Sequence, residues 1–167
     1  MIYLVMGVSG SGKTTIGLNF ASSLDAVFLD ADSFHSESNI SKMKNGIPLT
    51  DDDREPWLLK LNYELIKAAI NKKNTVLACS ALKDSYRKSL LSNIKSYLII
   101  YLRADISLLK RRQSERKNHF FNPKLLSSQM AILEEPKENF IELDASNSPQ
   151  DIVEEIIEKL SLINKNL

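Results

Sequence analysis

The chain has 167 residues, 43% of them apolar, which is enough for one ordinary globular core and makes a single domain the default. Its 22 basic and 21 acidic residues leave a net charge of +1, which argues against a nucleic-acid or anionic-membrane surface, since broad phosphate binding needs clustered excess charge. The one cysteine, Cys79, forms neither an internal disulfide nor a cysteine-based metal framework, so a reducing, cytoplasmic setting is expected.

Short apolar runs alternate with helical periodicity, the signature of a parallel sheet covered by helices. Ile2 to Met6 is the first predicted strand, far too short to cross a bilayer. The loop GVSGSGKT, residues 7 to 14, follows it and fits G-x-x-x-x-G-K-[ST] at every required position. A helix should come next, with Ile16, Phe20 and Leu24 on one face. In such a loop Gly7, Gly10 and Gly12 let backbone N–H groups turn inward onto phosphate oxygens. Lys13 then reaches the β- and γ-phosphates of ATP, and Thr14 offers its hydroxyl to Mg²⁺. The candidate nucleotide contacts are Gly7, Ser9, Gly10, Ser11, Gly12, Lys13, Thr14 and Thr15.

The second strand, Val27 to Leu29, ends in FLDAD, which puts Asp30 and Asp32 at the carboxyl edge where open parallel sheets bind ligands. One carboxylate would hold the water shell of Mg²⁺ (Asp30) and the other would accept the proton of an attacking hydroxyl (Asp32). The alternative is that they simply begin a loop. Residues 35 to 54 form a polar insertion, and a helix is predicted from Glu55-Pro56 with Trp57, Leu61 and Leu65 on one face. The third strand, Thr75 to Cys79, runs into CSALK, so Ser80 and Lys83 also fall on the ligand edge; Lys83 and Arg87, four apart on a helix, would supply charge there or form a solvated face.

A helix from Asp84 to Leu91, a strand from Tyr97 to Leu102 and a helix from Ile106 to Arg116 follow. Arg112 and Arg116, four apart, share a helix face and suit stacking on a base or offsetting charge on transferring phosphates; a solvated basic helix is the alternative. A second polar insertion, 116 to 124, reads as a cover over the site, and a last strand, Phe140 to Leu143, precedes a helix opening at Ser148-Pro149 with Ile152, Ile156 and Leu160 as its apolar face.

MGVSGSGKTT, FLDADSFH, NISKMKNGIPLTDDDREPWL, CSALKDSYR, RKNHFF and LLSSQMAILEEP, in this order, resemble the gluconokinase family of P-loop sugar-acid kinases across residues 2 to 136. The resemblance implies a three-layer α/β P-loop NTPase fold over residues 1 to 167. Its five-stranded parallel sheet is flanked by helices, with the loop strand central and a mobile lid at about 116 to 124. It implies transfer of the ATP γ-phosphate to the 6-hydroxyl of D-gluconate, with Lys13, Asp32 and Arg116 catalytic and Arg112 near the adenine. His119 would lie in the lid, and residues 35 to 54 would bind the acceptor. Lys42 and Arg54 would meet its carboxylate or the transferring phosphate, with His35, Ser80 and Lys83 as further contacts. Asp51, Asp52 and Asp53 would bind polyol hydroxyls or simply favour a helix N-terminus, the second reading being preferred. Family members are often dimers, yet no stripe here is apolar enough to demand one.

Two positions depart from the family's usual pattern: Ala31 stands where Asp-Gly-Asp is common and Ser36 follows His35 in place of proline. Alanine has fewer accessible backbone angles than glycine, so the loop at 31 is expected to sit slightly differently. Other readings are a kinase for another small hydroxy acid, shikimate included, or a regulatory module that binds ATP without transferring it. A GTPase switch is disfavoured because NKKN, residues 71 to 74, lacks the aspartate of a base-reading motif.

Overall fold

The computed structural model describes residues 1–115 and 125–165. In chain order they form β1 (Ile2–Met6), α1 (Lys13–Ser23), β2 (Val27–Asp30), a 3₁₀ turn (Ala31–Phe34), α2 (Glu37–Lys44), α3 (Asp51–Ile70) and β3 (Thr75–Ala78). Then come α4 (Asp84–Leu90), β4 (Tyr97–Arg103), α5 (Ile106–Glu115), α6 (Leu125–Ala131), β5 (Phe140–Asp144) and α7 (Pro149–Lys165). The strands make one parallel sheet in the order β2-β3-β1-β4-β5, so the loop strand lies in the middle as expected.

The inner strands read as unbroken apolar runs because the sheet is covered on both faces. Successive residues of β1 go to opposite layers: Ile2, Leu4 and Met6 pack with Trp57, Leu61 and Leu65 of α3. Tyr3 and Val5 pack with Ile16 and Phe20 of α1 and Ile152 and Ile156 of α7. The predicted apolar faces of all three helices are therefore the buried ones. Tyr3 and Phe20 meet edge to face, with ring centroids 5.1 Å apart.

Two features of the 35 to 54 region differ from expectation. It contains an eight-residue helix, α2, whose N-cap Ser36 accepts a hydrogen bond from the Asn39 N–H and which buries Asn39 and Met43. And α3 starts at Asp51, four residues before the predicted Glu55. Thr50 and Asp53 close a capping box at its N-terminus: the Thr50 side chain accepts from the Asp53 N–H, and the Asp53 carboxylate from the Thr50 N–H. Asp53 takes the place more often held by Glu or Gln, which hid the signal. Pro56 is consequently inside the helix, tolerated because Pro56 and Asp52, whose carbonyl loses a helical partner, are both exposed to water.

Candidate active site

The carboxyl ends of β1, β2 and β3 bring the phosphate loop, the aspartates and CSALK together. Gly12 is the N-cap of α1 with φ 102°, a left-handed angle that glycine adopts without strain. At Gly7 (φ 148°) a Cβ would lie 2.7 Å from Ser11 Oγ and 2.8 Å from the Leu102 carbonyl oxygen, so no side chain fits. The Lys13 ammonium donates to the Val8 carbonyl at 3.1 Å. Thr14 Oγ1 donates to Asp30 Oδ2 at 3.0 Å, while Asp30 Oδ1 caps the 3₁₀ turn by accepting from the Asp32 N–H, also at 3.0 Å.

One carboxylate thus joins the loop helix to the backbone that carries the other. Ala31 takes no left-handed angle in this turn, so glycine is not needed there, and the expected displacement has no physical cause. Instead the Ala31 carbonyl accepts a 2.8 Å bond from Trp57 Nε1, which fastens the Asp32 turn to α3. The His35 ring stacks on Trp57, centroids 4.2 Å apart and planes 13° apart.

Burial, reinforced by the Arg54 charge, pushes His35 down to about 4, so its imidazole is neutral at physiological pH. An unfolded histidine titrates near 6.5, so between there and about 4 the unfolded chain binds a proton that the folded chain does not, and stability falls as pH falls. Relative to wild type, His35→Asn should gain unfolding free energy between pH 7 and pH 4.5, as read by urea denaturation. A constant difference between the two proteins would show that His35 titrates normally.

Two recesses meet beside these groups. The inner one is lined by Ser9, Lys13, Asp32, His35, Arg54, Ser80 and Gln129, among others. The outer one is lined by Asp51, Arg54, Lys83, Tyr86, Ser128 and Gln129 together with apolar Met43, Pro48, Leu49, Leu125 and Ile132. Met43, Leu49, Arg54 and Gln129 belong to both, which makes the two recesses continuous. Arg54 Nη1 donates to the Leu49 and Thr50 carbonyls, and its guanidinium carbon lies 5.4 Å from the Tyr86 ring centroid. Lys83 Nζ approaches the same ring at 5.2 Å and bonds both Asp51 oxygens at 2.8 Å. The Tyr86 hydroxyl also donates to Asp51. Hydrogen bonds from Lys83 and then Tyr86 hold the Asp51 carboxyl below its usual range.

Other expected contacts are placed differently. The Lys42 ammonium is committed to Asp53 at 2.6 Å, pinning α2 to the α3 cap, and this bond first of all holds Asp53 at about 2. It does not line either recess. Arg87 is neither a ligand nor part of a solvated face: only 4% exposed, its Nη1 donates to the carbonyls of Ala81, Leu82 and Glu134. Arg112 Nη1 donates to the Gly10 and Ser11 carbonyls and Nη2 to that of Ala145 at 2.8 Å. The Arg112 side chain borders a cleft of about 300 Å³ on the far side of the loop, with Gly12, Thr15, Asn147 and Pro149. Cys79 is fully buried and its thiol is pushed up to about 12, chiefly by desolvation, which makes it inert. Arg116, His119 and the expected lid at 116 to 124 lie outside the described residues.

Sequence reasoning missed Tyr86 and Gln129, and preferred the helix N-terminus for Asp51, which also lines the outer recess. Tyr86 lay within the quoted CSALKDSYR and Gln129 within LLSSQ, yet no local pattern signals either. Among the described residues no three His, Cys, Asp or Glu side chains gather to form a metal cage. Thr14 and Asp30 are instead a hydroxyl and a carboxylate 3.0 Å apart, hard oxygen donors that suit Mg²⁺ retaining several waters. Nor, among the described residues, is any helix long and apolar enough to cross a membrane.

A phosphate loop on the central strand of a parallel sheet, with carboxylates at the end of β2, two strands over, and a charged recess beside them, defines a P-loop kinase fold. The family model described as Shikimate kinase matches residues 9–161. A probable gluconokinase of Dictyostelium discoideum is 49% identical over 96% of this chain and 86% of its own length. The crystal structure of a gluconokinase from Sinorhizobium meliloti 1021 superposes with a TM-score of 0.87 at 37% identity, covering 98% of this chain and 93% of that one. The shikimate kinase structure from Aquifex aeolicus, at 16% identity, 96% coverage of each chain and a TM-score of 0.61, shares the fold alone. The chain belongs to the gluconokinase family, within the shikimate-kinase-like group.

Proposed function

We propose that this protein transfers the γ-phosphoryl group of ATP to the 6-hydroxyl of D-gluconate. One observation carries the choice of an anionic, hydroxyl-rich acceptor. The outer recess has two cations, Arg54 and Lys83, against one carboxylate, Asp51, and opens directly onto Lys13 and Asp32. The surplus positive charge matches a single carboxylate, and Arg54 offers it a planar donor set. Ser128, Tyr86 and Gln129 suit polyol hydroxyls in the same recess. The family membership supports the same acceptor.

In this reading Asp32 accepts the proton of the attacking hydroxyl, held in place by the Asp30 cap and by Trp57 through Ala31. Lys13 and the loop amides hold the triphosphate and offset charge on the transferring phosphoryl. Thr14 and Asp30 would hold Mg²⁺, which when bound neutralises the β- and γ-oxygens. The Arg112 cleft would take the adenine, and residues 116 to 124, with Arg116 and His119, would close over the substrates and exclude water. The lone, buried Cys79 supports a reducing, cytoplasmic setting.

The test is ADP release with Mg²⁺-ATP, run with D-gluconate, related sugar acids and shikimate in parallel. Stimulation by gluconate alone is expected, and stimulation only by another acid would overturn the assignment. Asp30→Asn should raise the half-saturating Mg²⁺ concentration by about tenfold or more, since partners of a metal-binding group tune affinity on that scale. An unchanged Mg²⁺ titration would remove Asp30 from the metal site.

A further inference from the structure

Gln129 sits where the two substrate sites meet, and packing decides that position. Leu126 of α6 packs with Val8 of the phosphate loop, Leu82 and Leu109. Leu125 packs with Met43 and Leu49. Gln129 follows three and four residues later, one helical turn on, which brings its carboxamide over the loop. Its Oε1 accepts the Ser9 N–H at 2.7 Å. A backbone N–H needs an acceptor, so the amide oxygen must be the atom that faces the loop.

The Ser9 N–H belongs to the glycine-rich loop whose backbone amides bind phosphate oxygens. A phosphate that takes it must displace the carboxamide. Gln129 lines both recesses, so once released it remains beside the acceptor, with one acceptor and two donor sites for a polyol hydroxyl.

We propose that Gln129 couples the two sites: it covers the Ser9 amide while nucleotide is absent and, displaced by a nucleotide phosphate, binds a hydroxyl of the acceptor. The acceptor half rests on the hydroxy-acid kinase reading above, whereas the nucleotide half does not. By linkage, nucleotide then strengthens acceptor binding and acceptor strengthens nucleotide binding by the same factor.

Calorimetry with the non-hydrolysable analogue AMP-PNP and Mg²⁺, with and without D-gluconate, tests this on the full chain. In wild type, gluconate should bind several-fold tighter once the analogue is present. Gln129→Ala removes the bond that nucleotide must break, so AMP-PNP alone should bind about three- to tenfold tighter, while the dependence of gluconate affinity on nucleotide disappears. Gln129→Glu places a charged acceptor on the Ser9 amide and should weaken AMP-PNP binding.

Opposite shifts from the two variants, each melting within a few degrees of wild type, are not what a purely structural role produces. Unchanged or weaker AMP-PNP binding by Gln129→Ala would overturn the proposal, as would wild-type gluconate affinity indifferent to nucleotide. If gluconate does not bind wild type at all, the acceptor assignment fails instead. The AMP-PNP arm still decides the nucleotide half, and the acceptor found by turnover replaces gluconate in the other arm.

Discussion

Asp32→Asn should lower kcat for acceptor-stimulated ADP release by about 10²- to 10⁴-fold, the range that general-base assistance supplies. The substitution keeps the side-chain shape and the backbone N–H that donates to Asp30, so the 3₁₀ turn and its link to Trp57 should persist. What is lost is the ability to accept a proton beside Lys13, Arg54 and Ser80. Nucleotide affinity should therefore stay within about twofold while turnover collapses, a split that separates chemistry from binding. A kcat reduced by less than about threefold would assign proton acceptance elsewhere.

The largest effect on stability should come from Arg87→Met. The arginine is buried, and its Nη1 serves three carbonyls, of which Ala81 and Leu82 belong to the turn after β3 and Glu134 to the segment after α6. Ala81 has φ 43°, a left-handed angle that a residue with a Cβ keeps only when its surroundings hold it there. Methionine fills much of the volume but leaves those carbonyls without their donor. We expect a loss of about 3–5 kcal/mol, the range for removing one side of a buried charged network, and a Tm lower by on the order of 10 °C. Ser80 and Lys83 flank the same turn, so the acceptor KM should rise as well. A Tm within 2–3 °C of wild type, small against the per-kcal/mol scaling, would show that water takes over these carbonyls.

The loop GVSGSGKT, the five strands and the apolar faces of α1, α3 and α7 could be read directly because each rests on a local rule: glycine spacing, β-branched runs, steps of three and four. The start of α3 was hidden because Pro56 is a familiar helix opener and Asp53 an uncommon capping-box partner. Lys42 and Arg54 looked alike in the sequence, two cations in one polar stretch. The structure separates them: Lys42 is spent on the α3 cap, while Arg54 lies against Tyr86 and lines both recesses.

The amino-acid sequence by itself determined the class of chemistry: a phosphate loop, two aspartates at a strand end and an arrangement of motifs that marks the family. Only the tertiary structure decided which charges line the recesses, why Arg87 is structural, and that Gln129 reaches Ser9 across 120 residues of chain. The reason is physical. A side chain's partner at that separation depends on how Leu125 and Leu126 pack against α2 and the loop, and no local periodicity encodes a contact between surfaces that meet only when the sheet is covered.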